Sequence, residues 1–315
     1  MIRQKRRLWI WVVGLAAMVS LPVLAQEESR FENALELSLL DSTQDQLSRS
    51  ALWLARNVNS WFGDQPFDEG GRVSGSVSPG ISWREDDGSN ASLRFSLSAR
   101  LPNVDLFFGR ETEDDFITDR PDSLREQQSA RGVAEDSQRR FFGGIGKALN
   151  DQVSFRIGVR SGLNVYAQAR YETAWEPTES TYISFAETFF VDADRGLGAT
   201  TTVNLGYLAT DRIALRSRNS TTVSRKKDGW DWITASGPIK NLGRDRDLWL
   251  DALAFGNTRE KVTLREYALI AGYRQPVYKD WVIGEVQVGH YWPQKDEDPS
   301  RQTAWGLNAN LQMRF

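Results

Sequence analysis

His290 is the one histidine of the chain, and a search for catalytic chemistry starts with it. It shares the strand parity of Val286, Val288 and Trp292, so an alternating strand would place it on an apolar face, where a general base is poorly positioned. The chain has no cysteine and no second histidine, so thiolate, serine–histidine and histidine–metal centres lack their other parts. The sequence therefore predicts no catalytic residue, no metal site and no cofactor.

A short glycine-rich run, Gly143-Gly144-Ile145-Gly146-Lys147, is partly similar to a phosphate-binding loop. Such a loop needs a glycine five residues before its Gly-Lys pair and a hydroxyl side chain after the lysine. Phe141 and Ala148 occupy these two positions here. The run instead favours a strand in which glycines make room for a close neighbour.

Arginine is the residue type whose spacing does predict chemistry. Guanidinium groups recur on the polar parity of alternating segments, with fewer glutamates among them. Unpaired guanidinium groups lining a narrow channel would favour anions through their field and their hydrogen bonds. Guanidinium groups paired with carboxylates would instead fill the interior, and the sequence leaves both alternatives open. The candidate interior-facing residues are Arg94, Arg156, Arg160, Arg170, Arg216, Arg218, Arg274, Glu172, Glu266 and Glu285.

The elements that would position these residues are strands, and the clearest of them is 303–315. Trp305 and Leu307 have one parity there, and Asn308 and Gln312 have the other. A period of two places successive side chains on opposite faces of a strand, so this segment has one apolar and one largely polar face. That pattern is typical of a wall between lipid and water.

About fourteen segments of similar length follow one another from Gly70 onward, separated by Asp- and Gly-rich turns. Beyond the first 25 residues no apolar run has the length of a membrane helix, and the mean hydropathy is −0.49, as expected when half of each strand faces a polar interior. The prediction is an all-β membrane protein whose residues 70–315 form an antiparallel transmembrane β-barrel of about 12–14 strands. Twelve strands would remain if the irregular segments 104–109 and 141–149 lay outside the wall.

The first 69 residues predict two further segments. Arg3, Lys5, Arg6 and Arg7 precede an apolar run that ends at Val23-Leu24-Ala25, which is the pattern of a cleaved export signal over 1–25. Residues 26–69 have apolar residues at helical spacing and predict a short α-helical periplasmic segment. Packing at the barrel mouth, a plug in the interior and a docking helix for a periplasmic partner are the alternatives for that segment.

Together these features resemble Gram-negative outer-membrane β-barrel proteins. The resemblance is carried by the export signal, the alternating strands over 70–315 and the final Gln312-Met313-Arg314-Phe315. It implies an outer-membrane location and contact with outer-membrane lipids and lipopolysaccharide. It also implies that Phe315 is an assembly signal read by the barrel assembly machinery. Lipid-modifying enzymes of this architecture use a histidine with a nearby serine, and Gly289-His290-Tyr291-Trp292 offers no serine two residues on.

The distribution of charge restricts the function further. Removing residues 1–25 takes away four positive charges and changes the net charge from −3 to −7, so nucleic acid is excluded as an expected partner. Residues 110–137 form a long acidic insertion that could bind divalent cations, fold over the mouth or simply be solvated. The function expected is a narrow channel for small, preferably anionic solutes. The alternatives are a non-conducting structural or assembly barrel and a lipid-modifying enzyme.

Overall fold

A computed structural model describes Gln44, Ser48 and residues 72–101, 104–112, 139–160, 164–294 and 300–315. The predicted export signal and most of the predicted helical segment 26–69 lie outside the described residues, although Gln44 and Ser48 are both helical. The chain divides into two compact units, Met1–Gln46 and Leu47–Phe315, and every strand belongs to the second. In the part that the structure describes, no helix is long and apolar enough to cross a membrane.

The described residues of the second unit form fourteen strands. Their bounds are β1 Arg72–Arg84, β2 Gly88–Arg100, β3 Asp105–Thr112, β4 Arg139–Ala148, β5 Val153–Arg160, β6 Asn164–Thr178, β7 Thr181–Asp192, β8 Gly196–Thr210, β9 Ile213–Ser224, β10 Lys227–Gly243, β11 Arg246–Asn257, β12 Glu266–Tyr278, β13 Val282–Pro293 and β14 Ala304–Arg314.

The strands close into one antiparallel barrel. Each strand pairs with its neighbours in sequence, and β1 pairs with β14 through contacts such as Ile81 with Ala309. The backbone N–H of Phe315 donates to the carbonyl of Gly75 at 3.0 Å, which extends this closing ladder by one residue. The predicted antiparallel barrel of 12–14 strands is confirmed at fourteen.

The irregular segments 104–109 and 141–149 both contribute to the wall, as parts of β3 and β4. β3 pairs with β2 and β4, and β4 pairs with β3 and β5. The twelve-strand alternative is therefore wrong. Gly144 explains why this part of the wall is rich in glycine, because a Cβ there would lie 2.4 Å from the Ile157 carbonyl oxygen and 2.6 Å from the Phe107 ring.

Apolar side chains cover the exterior of the barrel. Ile81 and Leu197 are 65% and 62% exposed, and Trp83, Trp175 and Trp305 are also exposed, although a water-soluble fold would bury such residues. A β-barrel with this exterior matches the lipid-facing wall of a membrane barrel, with aromatic residues near the strand ends.

The two ends of the barrel differ in their connections. At one end, adjacent strands are joined by residues 101–104, 149–152, 179–180, 211–212, 244–245 and 279–281, so no turn is longer than four residues. In the turn 244–245 both residues have φ of 55°, the positive φ that a two-residue hairpin turn of the primed type requires. The other end carries the long connections 113–138, 258–265 and 294–303. The predicted acidic insertion falls mostly within 113–138, which lies outside the described residues.

Candidate functional site

The ten candidate residues all lie on interior-facing positions of the barrel. On β9, for example, Arg218, Ser220 and Thr222 are 5–6% exposed, whereas Leu215 and Val223 on the opposite parity are 48% and 37% exposed. The strand registers extend the buried parity around the barrel. The residues it contains are Arg94, Arg156, Arg160, Arg170, Arg216, Arg218, Arg274, Glu172, Glu266 and Glu285.

A buried carboxylate on β11 binds two of the β9 arginines across β10. Asp251 is 0% exposed and accepts from the Arg218 Nη2 at 2.7 Å and from the Arg216 Nη2 at 3.0 Å. The Arg218 side chain is 8% exposed and the Arg216 side chain 23%. β10 permits the contact because Gly237 stands between the two strands on the interior face, and a Cβ there would lie 1.8 Å from the Leu250 carbonyl oxygen.

A second buried ion pair crosses the barrel interior from β1 to β12. The Arg84 Nη2 donates to the Glu266 Oε2 at 2.6 Å, and the Arg84 Nε donates to the Asp86 Oδ1 at 2.7 Å. The guanidinium carbon of Arg84 also lies 4.4 Å from the centre of the Tyr291 ring. The Arg84 and Glu266 side chains are 5% and 6% exposed, so this pair is largely removed from water.

A third buried ion pair links β5 to the end of β7. The Arg160 Nη2 lies 3.3 Å from the Asp192 Oδ1 and 2.7 Å from the Asp194 Oδ2. The Asp192 side chain is fully buried, and it also accepts from the backbone N–H groups of Asp194 and Arg195 at 2.8 Å. The carboxylate therefore both caps the turn after β7 and neutralises the arginine.

The strands β10 to β14 place an apolar cluster on the interior face, where the sequence alternation predicts mainly polar residues. Tyr291 lies flat on the wall because Gly289 and Gly306 leave room for its ring, and a Cβ on either would come within 3 Å of it. The members of this cluster are Ile233, Ala235, Leu253, Ala268, Ile270, Tyr291 and Ala304, with Phe255 packed against them.

A second interior cluster lies on the opposite wall. It contains Phe142, Tyr166 and Phe190, with Phe107 packed against it.

The interior face of the adjacent strands β14, β1 and β2 differs from the two apolar clusters because most of its side chains are polar. These three strands contain no Asp or Glu, and their interior positions are mostly serine, asparagine, glutamine and arginine, with glycines and Ala304 among them. We call this surface the seam wall. The hydroxyls of Ser76 and Ser96 lie 3.0 Å apart on it, and Arg72 faces Arg100 across the β1–β2 ladder. Arg94 on the seam wall is half-buried and, within the described part of the chain, forms no ion pair.

The remaining candidates lie in intermediate settings. The Arg274 Nη2 donates to the Gln312 Oε1 at 3.2 Å, although Glu285 is its register partner on β13. Glu285 is buried and accepts from the Gln287 side-chain amide.

Two further arginines complete the candidate set. Arg170 pairs with the exposed Glu172 at 3.1 Å, and the guanidinium carbon of Arg156 lies 5.8 Å from the Phe107 ring centre. Of the ten residues, Arg160, Arg216, Arg218 and Glu266 belong to buried ion pairs, and Arg170 and Glu172 form a more exposed pair.

The residues that the sequence reasoning missed are the aspartates. Glu172, Glu266 and Glu285 were the expected acidic companions, but Asp192 and Asp251 neutralise three of the arginines. Asp192 has the appearance of a turn residue in sequence, whereas Asp251 has interior parity between Leu250 and Ala252 and could have been found from that parity. These two aspartates therefore reduce the excess of arginine over carboxylate that the sequence indicates for the interior face.

His290 lies on the exterior face, as its parity predicts. Its ring centre is 4.2 Å from that of Trp292 and 4.5 Å from that of Trp305, so it belongs to an aromatic group near the end of the barrel with the long connections. Among the residues that the structure describes, no group of three or more His, Cys, Asp or Glu side chains is placed to hold a metal ion.

No protein-family model and no curated protein matches the sequence. Several solved structures are similar in fold. An anion-selective porin from Comamonas acidovorans is 11% identical, with 78% of this chain and 99% of that chain covered and a TM-score of 0.44. OmpT of Vibrio cholerae, in a loop-deletion form, is 9% identical with 78% and 99% covered and a TM-score of 0.44. OccK11 of Pseudomonas aeruginosa is 10% identical with 78% and 96% covered and a TM-score of 0.42.

Proposed function

We propose that this protein is an outer-membrane β-barrel that forms a narrow channel for small solutes, preferably anions, and that it is not an enzyme. The observation that supports the proposal best is Arg94 on the seam wall, whose three strands contain no carboxylate and where Arg94 forms no ion pair within the described part of the chain. Two other arginines of this wall are paired with carboxylates of neighbouring segments, Arg84 with Glu266 and Asp86 and Arg100 with Asp105 at 3.6 Å. Guanidinium groups that are not neutralised by carboxylates favour anions over cations in a pore.

The size of the barrel is compatible with this function. Barrels of about 8 strands are filled by their own side chains, whereas those of about 16–18 strands enclose an aqueous channel. A fourteen-strand barrel is intermediate, and the apolar clusters and ion pairs on its interior face occupy part of the space that it encloses. We infer that solutes pass along the seam wall. The end of the barrel with the short turns is expected to face the periplasm, as in other outer-membrane barrels.

The test is single-channel recording from the refolded full-length protein in planar bilayers, with the reversal potential measured across a salt gradient. Arg94→Gln is expected to reduce the preference for anions and to leave stability nearly unchanged, because a partly solvated charge contributes little to folding. Arg94→Lys is the matched control, since it keeps the charge and should retain the preference. A folded parent that does not conduct, or an Arg94→Gln variant with the selectivity of the parent, would contradict the proposal.

A non-conducting structural or assembly barrel is the second candidate, and the apolar interior cluster of β10 to β14 favours it. Its members Ala235, Ile270 and Ala304 are 0% exposed, as in the core of a protein rather than the wall of a pore. The same recordings distinguish the two candidates, because this function requires a folded barrel without conductance.

A further inference from the structure

The exterior of β7 to β10 carries a group of polar side chains, whereas most of the remaining wall is apolar. We call Glu187, Thr201, Ser217, Asn219, Thr221, Thr234 and Ser236 the outward polar patch. Glu187 is in register with Tyr171 and Ser217 with Leu205, and these exterior partners are 40% and 44% exposed. The patch therefore faces away from the barrel interior.

Apolar exterior residues border the patch along each strand. On β7, Phe185 and Phe189 stand two residues to either side of Glu187, and Phe189 is 56% exposed. On β9, Leu215 and Val223 border the patch in the same way. The patch thus lies inside the apolar band and not at its edge, so acyl chains are the default neighbours.

A hydrogen-bond network joins most of these side chains. The Thr201 hydroxyl donates to the Glu187 Oε2 at 2.7 Å, and the Thr234 hydroxyl donates to the Asn219 Oδ1 at 2.7 Å. The Ser217 Oγ accepts from the Asn219 Nδ2 at 3.1 Å and from the Ser236 hydroxyl at 2.8 Å.

The network leaves polar atoms on β9 and β7 without partners, and among the described residues the Thr221 side chain on β9 forms no hydrogen bond. Among the described residues the Ser217 hydroxyl accepts two hydrogen bonds and has no acceptor for its own proton, and the Glu187 Oε1 has no donor. A carboxylate in hydrocarbon is unfavourable unless it is hydrogen-bonded and paired, and acyl chains supply no donors. A partner that covers this patch must therefore offer polar groups at the same depth.

From this arrangement we infer that the outward polar patch is the contact face between two copies of this chain in the membrane. In a two-fold interface, residue i of one copy meets residue j of the other, and j meets i. The unused donors on β9 and the unused acceptor on β7 fit that rule, because a two-fold axis at β8 places β9 of each copy opposite β7 of the other. An axis along the membrane normal keeps both copies inserted in the same direction. Small side chains such as serine and threonine also permit close approach in a membrane.

Cysteine cross-linking tests this inference directly, because the native chain contains no cysteine. Val203 lies on the exterior face of β8, in register with Phe185 and Asn219, and so lies next to the inferred axis. Val203→Cys is expected to form a cross-linked dimer in native membranes. Ala309→Cys is the matched control, since it lies on the exterior of β14, in register with Ile81 and Val286, and should remain monomeric.

A second variant separates loss of contact from loss of folding. Glu187→Leu is expected to abolish the dimer of the detergent-purified protein in light scattering, and to unfold in urea at a concentration no lower than the parent does. A monomeric parent, equal cross-linking from Ala309→Cys, or a Val203→Cys product with a protein of different mass would each overturn the inference. Dimers that persist in Glu187→Leu would overturn it as well.

Discussion

Replacing Arg218 by glutamine tests whether the interior ion pairs stabilise the barrel. The substitution removes the closer of the two guanidinium groups that bind Asp251, a carboxylate that is 0% exposed. Removing one partner of a buried ion pair costs about 3–5 kcal/mol, because the remaining charge is left poorly compensated. Arg216 remains at 3.0 Å, so we expect the lower end of that range, about 3 kcal/mol, or roughly a hundredfold in the unfolding equilibrium.

The assay is reversible urea unfolding of the barrel refolded in lipid vesicles, followed by tryptophan fluorescence. Arg94→Gln is the matched control: it also replaces an interior arginine by glutamine, but at a position with no ion pair in the described part of the chain. Its cost should stay below about 1 kcal/mol, as for solvated charges. The refuting result is an equal loss of stability in the two variants.

A double-mutant cycle with Asp251→Asn adds a stricter criterion. If the ion pair causes the loss, the double variant should lose less stability than the sum of the single variants, because the second substitution removes the charge that the first one stranded. Additivity within about 0.5 kcal/mol would show that Arg218 and Asp251 act independently.

Two further predictions concern β14. Leu311→Arg places a charge on the exterior face and should lower the free energy of unfolding by about 2–4 kcal/mol near the middle of the bilayer. Asn310→Arg faces the interior beside Glu285 and should cost clearly less in the same urea assay. Equal losses of stability would refute the assigned register. Phe315→Asp should reduce the amount of heat-modifiable folded barrel in the outer membrane without reducing export, because the Phe315 ring packs on Gly75 beside the closing ladder. Folded barrel at the parental level would refute this prediction.

The alternation of side chains was enough to predict the barrel and the face of each candidate. A strand has a period of two, so once one face is apolar the other is assigned to the interior without knowledge of any neighbour. Arg94, Arg218 and Glu266 are interior residues for that reason. The pairing of each strand with its neighbours in sequence could also be anticipated, because short turns join antiparallel strands that are adjacent in sequence.

The tertiary structure alone decided which interior residues touch. Arg84 and Glu266 are separated by 182 positions, and Arg218 and Asp251 by 33, and no local pattern links such pairs. Their contacts depend on closure between β1 and β14, on the stagger of the strands and on gaps left by glycines such as Gly237. Parity assigns a side chain to a face. Whether a charge on that face is neutralised depends on the distances between side chains across a closed barrel, and the sequence does not state these distances.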